Sequence, residues 1–193
     1  MEQEFKFPIV AFGSNTNLDD LDRYALLHGY PTGCLRFSRL VNAPDYKLAF
    51  TKHSKGRRGG VLDLLHSIGH VTTVALFYAS EAGLELLKQK EGVPRHYVEK
   101  QITVIDAGGG EIQALTYVVA ADQRERYVRP SEEYLNICKE GFERLGIDTS
   151  ELEAAAVDKT IEPLPALYVY GTLMRAEQRF PTIVKYGLHC ALT

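Results

Sequence analysis

Lys90-Glu91-Gly92-Val93-Pro94-Arg95-His96-Tyr97 and Ile9-Val10-Ala11-Phe12-Gly13-Ser14-Asn15 are the two stretches on which the fold and chemistry of this chain turn. The first ends an apolar helical stripe: Leu84 and Leu87 are three residues apart and Glu91 falls seven beyond Leu84, so all three share one face. Glu81, Glu85 and Lys88 mark the side turned to solvent. A carboxylate that continues a core-directed stripe is a candidate acid–base group. The bland alternative is a frayed helix end with Glu91 in water, where most glutamates are. The second stretch is an apolar strand running into a Gly-Ser-Asn turn. Successive backbone N–H groups there can hold an anion or a developing oxyanion, although such turns also serve structure alone. A base and a cradle of donors are the minimum equipment of an acid–base enzyme that uses no metal.

Outward from these stretches the pattern is mixed. Pro8 to Phe12 reads as a buried strand stopped by Gly13. Asn17 caps a helix from Leu18 to His28, with Asp19, Asp20 and Asp22 in its first turns and Gly29 just beyond. Leu35–Val41 and Tyr46–Thr51 read as two strands, and Val61–Leu65 and Thr72–Tyr78 as two more. The intervening loop from Lys52 to Gly60 is basic and reads as flexible. Ser80 caps a helix to Lys90, ended by Gly92 and Pro94. Tyr97–Asp106 and Glu111–Ala120 form the clearest hairpin, around a triple-glycine turn. Pro130-Ser131 opens a helix to Leu145, and Ser150-Glu151-Leu152-Glu153 has capping-box spacing. Strands and helices do not alternate strictly, which predicts α+β. Leu167–Tyr170 reads as a last strand, and Tyr168 to Arg175 partly repeats the strand–glycine motif of residues 9–15.

At 193 residues the chain suits a domain of ordinary size, and 45% hydrophobic with 24% charged residues is average for a globular protein. A net charge of −3 argues against a nucleic-acid partner, which would call for a basic face. No run of about 18 apolar residues exists, so no membrane span is expected. The N-terminus lacks the charged-then-apolar pattern of a signal peptide. Cys34, Cys138 and Cys190 are odd in number and scattered, which fits free thiols and a cytoplasmic setting.

Other chemistry is less well supported. His66 and His70 have helical spacing, but Gly69 breaks the segment and no third metal ligand is near. Gly56 to Gly60 lacks the Lys-Ser/Thr ending of a phosphate loop. Ser14 lacks the Gly-x-Ser-x-Gly setting of a serine hydrolase. Tyr97, Tyr117 and Tyr134 follow or lie near polar stretches, and each hydroxyl could hold a substrate amine or carboxylate; packing is the plainer reading of each.

In order along the chain, these motifs resemble the gamma-glutamylcyclotransferase family over residues 8–157, leaving 158–193 as a C-terminal extension. The family's Tyr-Gly-Ser-Asn turn is matched by Phe12-Gly13-Ser14-Asn15, and its middle by Asp45-Tyr46-Lys47-Leu48 and Gly59-Gly60-Val61. Glu91-Gly92-Val93 with Tyr97 matches the catalytic segment, and Thr116-Tyr117 and Pro130-Ser131-Glu132-Glu133-Tyr134 match the later motifs. The resemblance implies a mixed β-barrel flanked by helices. It also implies release of 5-oxoproline from a small gamma-glutamyl substrate without cofactor or metal, and a homodimer among the assemblies it allows. By the same resemblance Glu91 is the general acid/base. Ile9, Val10, Ala11, Phe12, Gly13, Ser14 and Asn15 would form the substrate-holding loop; Tyr134 would touch substrate, and Tyr97 and Tyr117 would line the pocket. Phe12 departs from the family's Tyr, and Val74 stands where Gly is usual. Two rivals share the fold: an enzyme that clears gamma-glutamyl groups from a specialised amine, and a binding module that keeps the pocket without turnover.

Overall fold

Local signals set the ends of most elements. The computed structural model describes residues 4–159; the expected strand at Leu167–Tyr170, the Tyr168–Arg175 motif and Cys190 lie outside them. β1 is Phe7–Ala11, followed by a single 3-10 turn at Ser14–Thr16 and then α1, Leu18–Leu27. Asn17 caps α1 by accepting the Asp20 N–H at 3.2 Å. Ser80 caps α2, Glu81–Glu91, by accepting the Gly83 N–H at 3.1 Å. Gly92, at φ 64°, ends α2 in the left-handed region that a residue without Cβ enters at no strain. After the hairpin of β4 (Tyr97–Ile105) and β5 (Glu111–Val119), Ser131 caps α3, Glu132–Leu145, through the Tyr134 N–H at 3.3 Å.

Two long strands carry the architecture. β2 runs Leu35–Ser54 and β3 runs Gly59–Ala79, antiparallel over nearly their whole length. Four separate strands were expected here; the structure has two. The turn-forming residues in the middle are absorbed by a bulge, where the pairing steps from Tyr46↔His66 to Pro44↔Val71. Asp45 takes φ 61° at that point, and its carboxylate accepts the Gly69 N–H at 2.8 Å. The i, i+4 spacing of His66 and His70 therefore does not put them on a helix face. Both lie in β3: the His66 ring packs edge-on against Tyr46, and His70 Nδ1 lies 2.9 Å from Ser67 Oγ. The basic loop is likewise shorter than expected, a tight turn at 55–58 between β2 and β3.

The described strands close into a barrel in the order β1-β3-β2-β4-β5, with β1 meeting β5 in parallel at Ile9↔Leu115. A closed sheet leaves no unpaired edge. Phe50, Leu64, Leu76 and Phe77 are fully buried in it, as are Leu21 of α1, Leu86 and Leu87 of α2 and Phe142 of α3, each burial worth about 1.5–3 kcal/mol. The result is the α+β barrel with flanking helices that the sequence led us to expect.

α4, Ser150–Ala156, starts one residue early for the expected capping box: Thr149 is its cap and makes no side-chain bond. Asp148 intervenes, accepting the Ser150 N–H at 2.7 Å, because a carboxylate two residues upstream competes for the same donor.

The connection from β5 to α3 lies directly on β3. Gly60 N–H donates to Arg129 carbonyl oxygen at 2.8 Å, and any side chain at Gly60 would collide with the Val128 carbonyl. Beside it Asp63, wholly buried, accepts from Thr51 Oγ1 at 3.0 Å, Val119 N at 2.9 Å and Arg124 Nε at 2.9 Å. This knot joins β2, β3, β5 and the connection, and so delivers α3 to the mouth of the barrel.

Candidate active site

One narrow pocket gathers the chemistry. It is lined by Val10, Ala11, Phe12, Gly13, Ser14, Asn15, Leu62, Glu91, Tyr97, Tyr117 and Tyr134. The end of β1 and the turn after it form one wall, the end of α2 brings Glu91, β4 and β5 bring Tyr97 and Tyr117, and α3 brings Tyr134. Of the residues named from the sequence, Ile9 alone stays off the wall. It lies one position deeper in β1 than Val10, 2% exposed, packed in the core and paired opposite Phe77. Leu62 joins the pocket without having been named, although the glycine pair that opens its strand was the signal beside it.

Glu91 is half-buried, and Oε1 accepts from the Asn15 side-chain amide at 2.8 Å. It is therefore not a frayed end waving in water. A Cβ added at Gly13 would sit 3.5 Å from Leu62 Cβ and 3.5 Å from the Tyr134 hydroxyl, so the missing side chain is part of the hollow. Tyr97 and Tyr134 are tied to one backbone residue: Tyr97 Oη donates to the Leu62 carbonyl at 3.3 Å, and Tyr134 Oη accepts the Leu62 N–H at 3.4 Å. Phe50 packs edge-on to the Tyr134 ring, and the Arg57 guanidinium lies over it at 5.6 Å.

Tyr117 is different. Its hydroxyl is buried with no hydrogen-bond partner, the one such side-chain atom among the described residues. Glu99 lies across from it on β4, and the negative charge of that carboxylate acts on the phenol as well as on Lys88, 3.7 Å away. A buried hydroxyl on a pocket wall with no close partner is a candidate contact for a ligand.

Burial raises the proton affinity of all three phenols, reinforced in each by negative charge from Glu91. They are neutral hydroxyls at physiological pH. Behind the turn, burial lowers that of Lys90, against the opposing pull of Glu91 and Asp20. Among the described residues no three His, Cys, Asp or Glu side chains converge as a metal site would require. Cys34 and Cys138 are both buried and outside any disulfide among the described residues, Cys138 lying behind Tyr134 of the pocket wall. No described helix is long and apolar enough to cross a membrane.

At its mouth the closed barrel brings together one carboxylate, a glycine turn of backbone donors and three phenols. Comparison with known proteins finds a likeness in part of the sequence and in the fold. Residues 71–152 match the AIG2-like family. The whole fold is similar to a solved gamma-glutamyl cyclotransferase, at 24% identity and a TM-score of 0.63, over 94% of this chain and 99% of the other. It is equally similar to the human protein LOC79017, at 24% identity and a TM-score of 0.62 over the same shares. YkqA from Bacillus subtilis matches at 21% identity and a TM-score of 0.63, over 79% of this chain and 53% of its own. None of the curated proteins matches the sequence. Residues 71–152 thus resemble AIG2-like sequence, and the fold resembles that of a gamma-glutamyl cyclotransferase.

Proposed function

We propose that this protein is a gamma-glutamyl cyclotransferase, releasing 5-oxoproline from a gamma-glutamyl amino acid or amine. A gamma-glutamyl group carries its own nucleophile. Its α-nitrogen attacks the γ-carbonyl carbon, an N–C bond closes a five-membered ring, and the C–N bond to the leaving group breaks. Intramolecular attack has high effective molarity, so positioning and proton handling are the main demands on the protein. The α-amine is mostly protonated near neutral pH and must lose a proton before it can attack. Glu91 takes that proton and gives it to the departing nitrogen as the C–N bond breaks; the second proton, shed by the attacking nitrogen as it becomes an amide, passes through the regenerated carboxylate to the same amine, which leaves as an ammonium ion. Backbone N–H groups of the Gly13–Asn15 turn hold substrate oxygens while negative charge builds. The Tyr97, Tyr117 and Tyr134 hydroxyls shape the rest of the pocket.

The observation that carries this reading is the meeting of Glu91 with the glycine turn in one pocket, through the bond from Asn15. The test is release of 5-oxoproline from gamma-glutamyl-alanine by the wild type and by Glu91→Gln. The variant should fold normally and lose activity by about a hundredfold to ten-thousandfold. Full activity in Glu91→Gln would refute the assignment.

A second reading, removal of gamma-glutamyl from a specialised amine, uses the same groups. It is favoured by Phe12, which puts an apolar ring on the pocket wall where the resembled family has a phenol. A panel of gamma-glutamyl amino acids and amines separates the two by kcat/KM.

A further inference from the structure

We propose that Lys90 is a positioning residue that sets the polarity of the site, an inference that rests on the cyclotransferase reading of Glu91. Its side chain is 7% exposed, and Nζ lies 3.1 Å from Ser14 Oγ, 2.6 Å from Asn15 Oδ1 and 3.7 Å from Asp20 Oδ2. An ammonium group has only donors. Both Ser14 and Asn15 must therefore present oxygen lone pairs to it.

For Asn15 the consequence is a fixed amide. With Oδ1 held by Lys90, Nδ2 faces Glu91 and donates to Oε1 at 2.8 Å. The flipped amide would point N–H groups at an ammonium and a carbonyl at a carboxylate, two repulsive contacts in a poorly solvated place. One Glu91 oxygen is thereby occupied and the other is left to move the proton. Ser14 Oγ accepts from Lys90 through one lone pair, which leaves its hydrogen and its second lone pair for the pocket that Ser14 lines.

The charge behind the turn is balanced by a second pair. Asp20, 8% exposed in its side chain, accepts both arms of Arg57 at 3.2 and 2.6 Å, and Arg57 in turn covers Tyr134. Removing Lys90 leaves Asp20 its bidentate partner, so the fold should survive the substitution.

The experiment compares wild type, Lys90→Met and Glu91→Gln in two measurements: steady-state 5-oxoproline release from gamma-glutamyl-alanine, and the side-chain amide resonances of Asn15 by NMR. Lys90→Met should lower kcat by about tenfold or more with KM within about threefold. Its Asn15 amide signals should also move to the positions of a freely rotating surface asparagine. Turnover within about twofold of wild type, or Asn15 signals unchanged, overturns the proposal. If Lys90→Met does not fold, Lys90→Gln carries the same two measurements. If the wild type releases no 5-oxoproline from any gamma-glutamyl compound, the cyclotransferase reading falls. The Asn15 signals alone then decide whether Lys90 orients the amide.

Discussion

The Asn15 amide donates to the Glu91 carboxylate at 2.8 Å across 76 positions of sequence. That bond joins the turn after β1 to the last residue of α2, two segments that no strand ladder connects. Glu91 otherwise stands at a helix end, where side chains fray and where the helix dipole disfavours negative charge. The amide holds it over the pocket.

Asn15→Ala removes that restraint without touching the carboxylate. The expected result is a fall in kcat of about ten- to a hundredfold with a smaller change in KM, measured by 5-oxoproline release. An unchanged kcat would mean that Glu91 is held by something else.

Tyr117→Phe has an unusual expected sign. The hydroxyl it removes is buried without a partner, so the free protein should gain stability, by about 1 kcal/mol in urea unfolding. The same change should raise KM, because the lost hydroxyl is one a ligand would satisfy. A loss of stability would show that the hydroxyl is already bonded in solution.

Gly60→Ala tests how α3 is delivered to the site. A methyl group there meets the Val128 carbonyl and forces the β5–α3 connection off β3. Unfolding free energy should fall by about 3 kcal/mol, since backbone rather than a pliable side chain must move. Gly13→Ala, by contrast, adds its methyl at ordinary contact distance and should leave the melting temperature nearly unchanged while weakening substrate binding.

Glu151 gives a pH prediction. Its Oε1 accepts the Leu48 N–H at 2.8 Å and Thr72 Oγ1–H at 2.8 Å, and burial raises its proton affinity above the ordinary value of 4.5, against the lowering effect of both bonds and of His70. A raised carboxyl means the folded state binds more protons than the unfolded, so stability from this group is present below pH 4.5 and lost as pH rises through the folded value. Glu151→Gln keeps an oxygen for both donors and does not titrate. The stability of the variant relative to wild type should therefore climb with pH across that window, measured by thermal melts in a buffer series. A difference that stays flat, or falls, contradicts the assignment.

Much of the fold could be read locally. Asn17, Ser80 and Ser131 begin helices, and Gly92 and Gly146 end them, because capping bonds and left-handed ends involve residues within a few positions of one another. The β4–β5 hairpin is equally local, set by the glycines of its turn. Where neighbours compete, local reading fails: Asp148 takes the donor that a capping box would have used, and Pro44, Asp45 and Gly69 look like strand ends but are bridged by a bulge. A run of cross-strand pairs on either side outweighs the turn preference of the few residues between.

The candidate site divides the same way. Chain chemistry alone singled out Glu91, through its place on an apolar stripe, and the Gly13–Asn15 turn, through its run of backbone donors. It could not show that Ile9 stops short of the pocket, that Leu62 joins it, or that Lys90 is buried behind the turn, where an exposed helical lysine is the ordinary case. Those facts depend on barrel closure, which brings β1, β3, α2 and α3 to one mouth. Periodicity and capping are properties of neighbouring residues, whereas a pocket is made by the distances between segments that only the packed core determines.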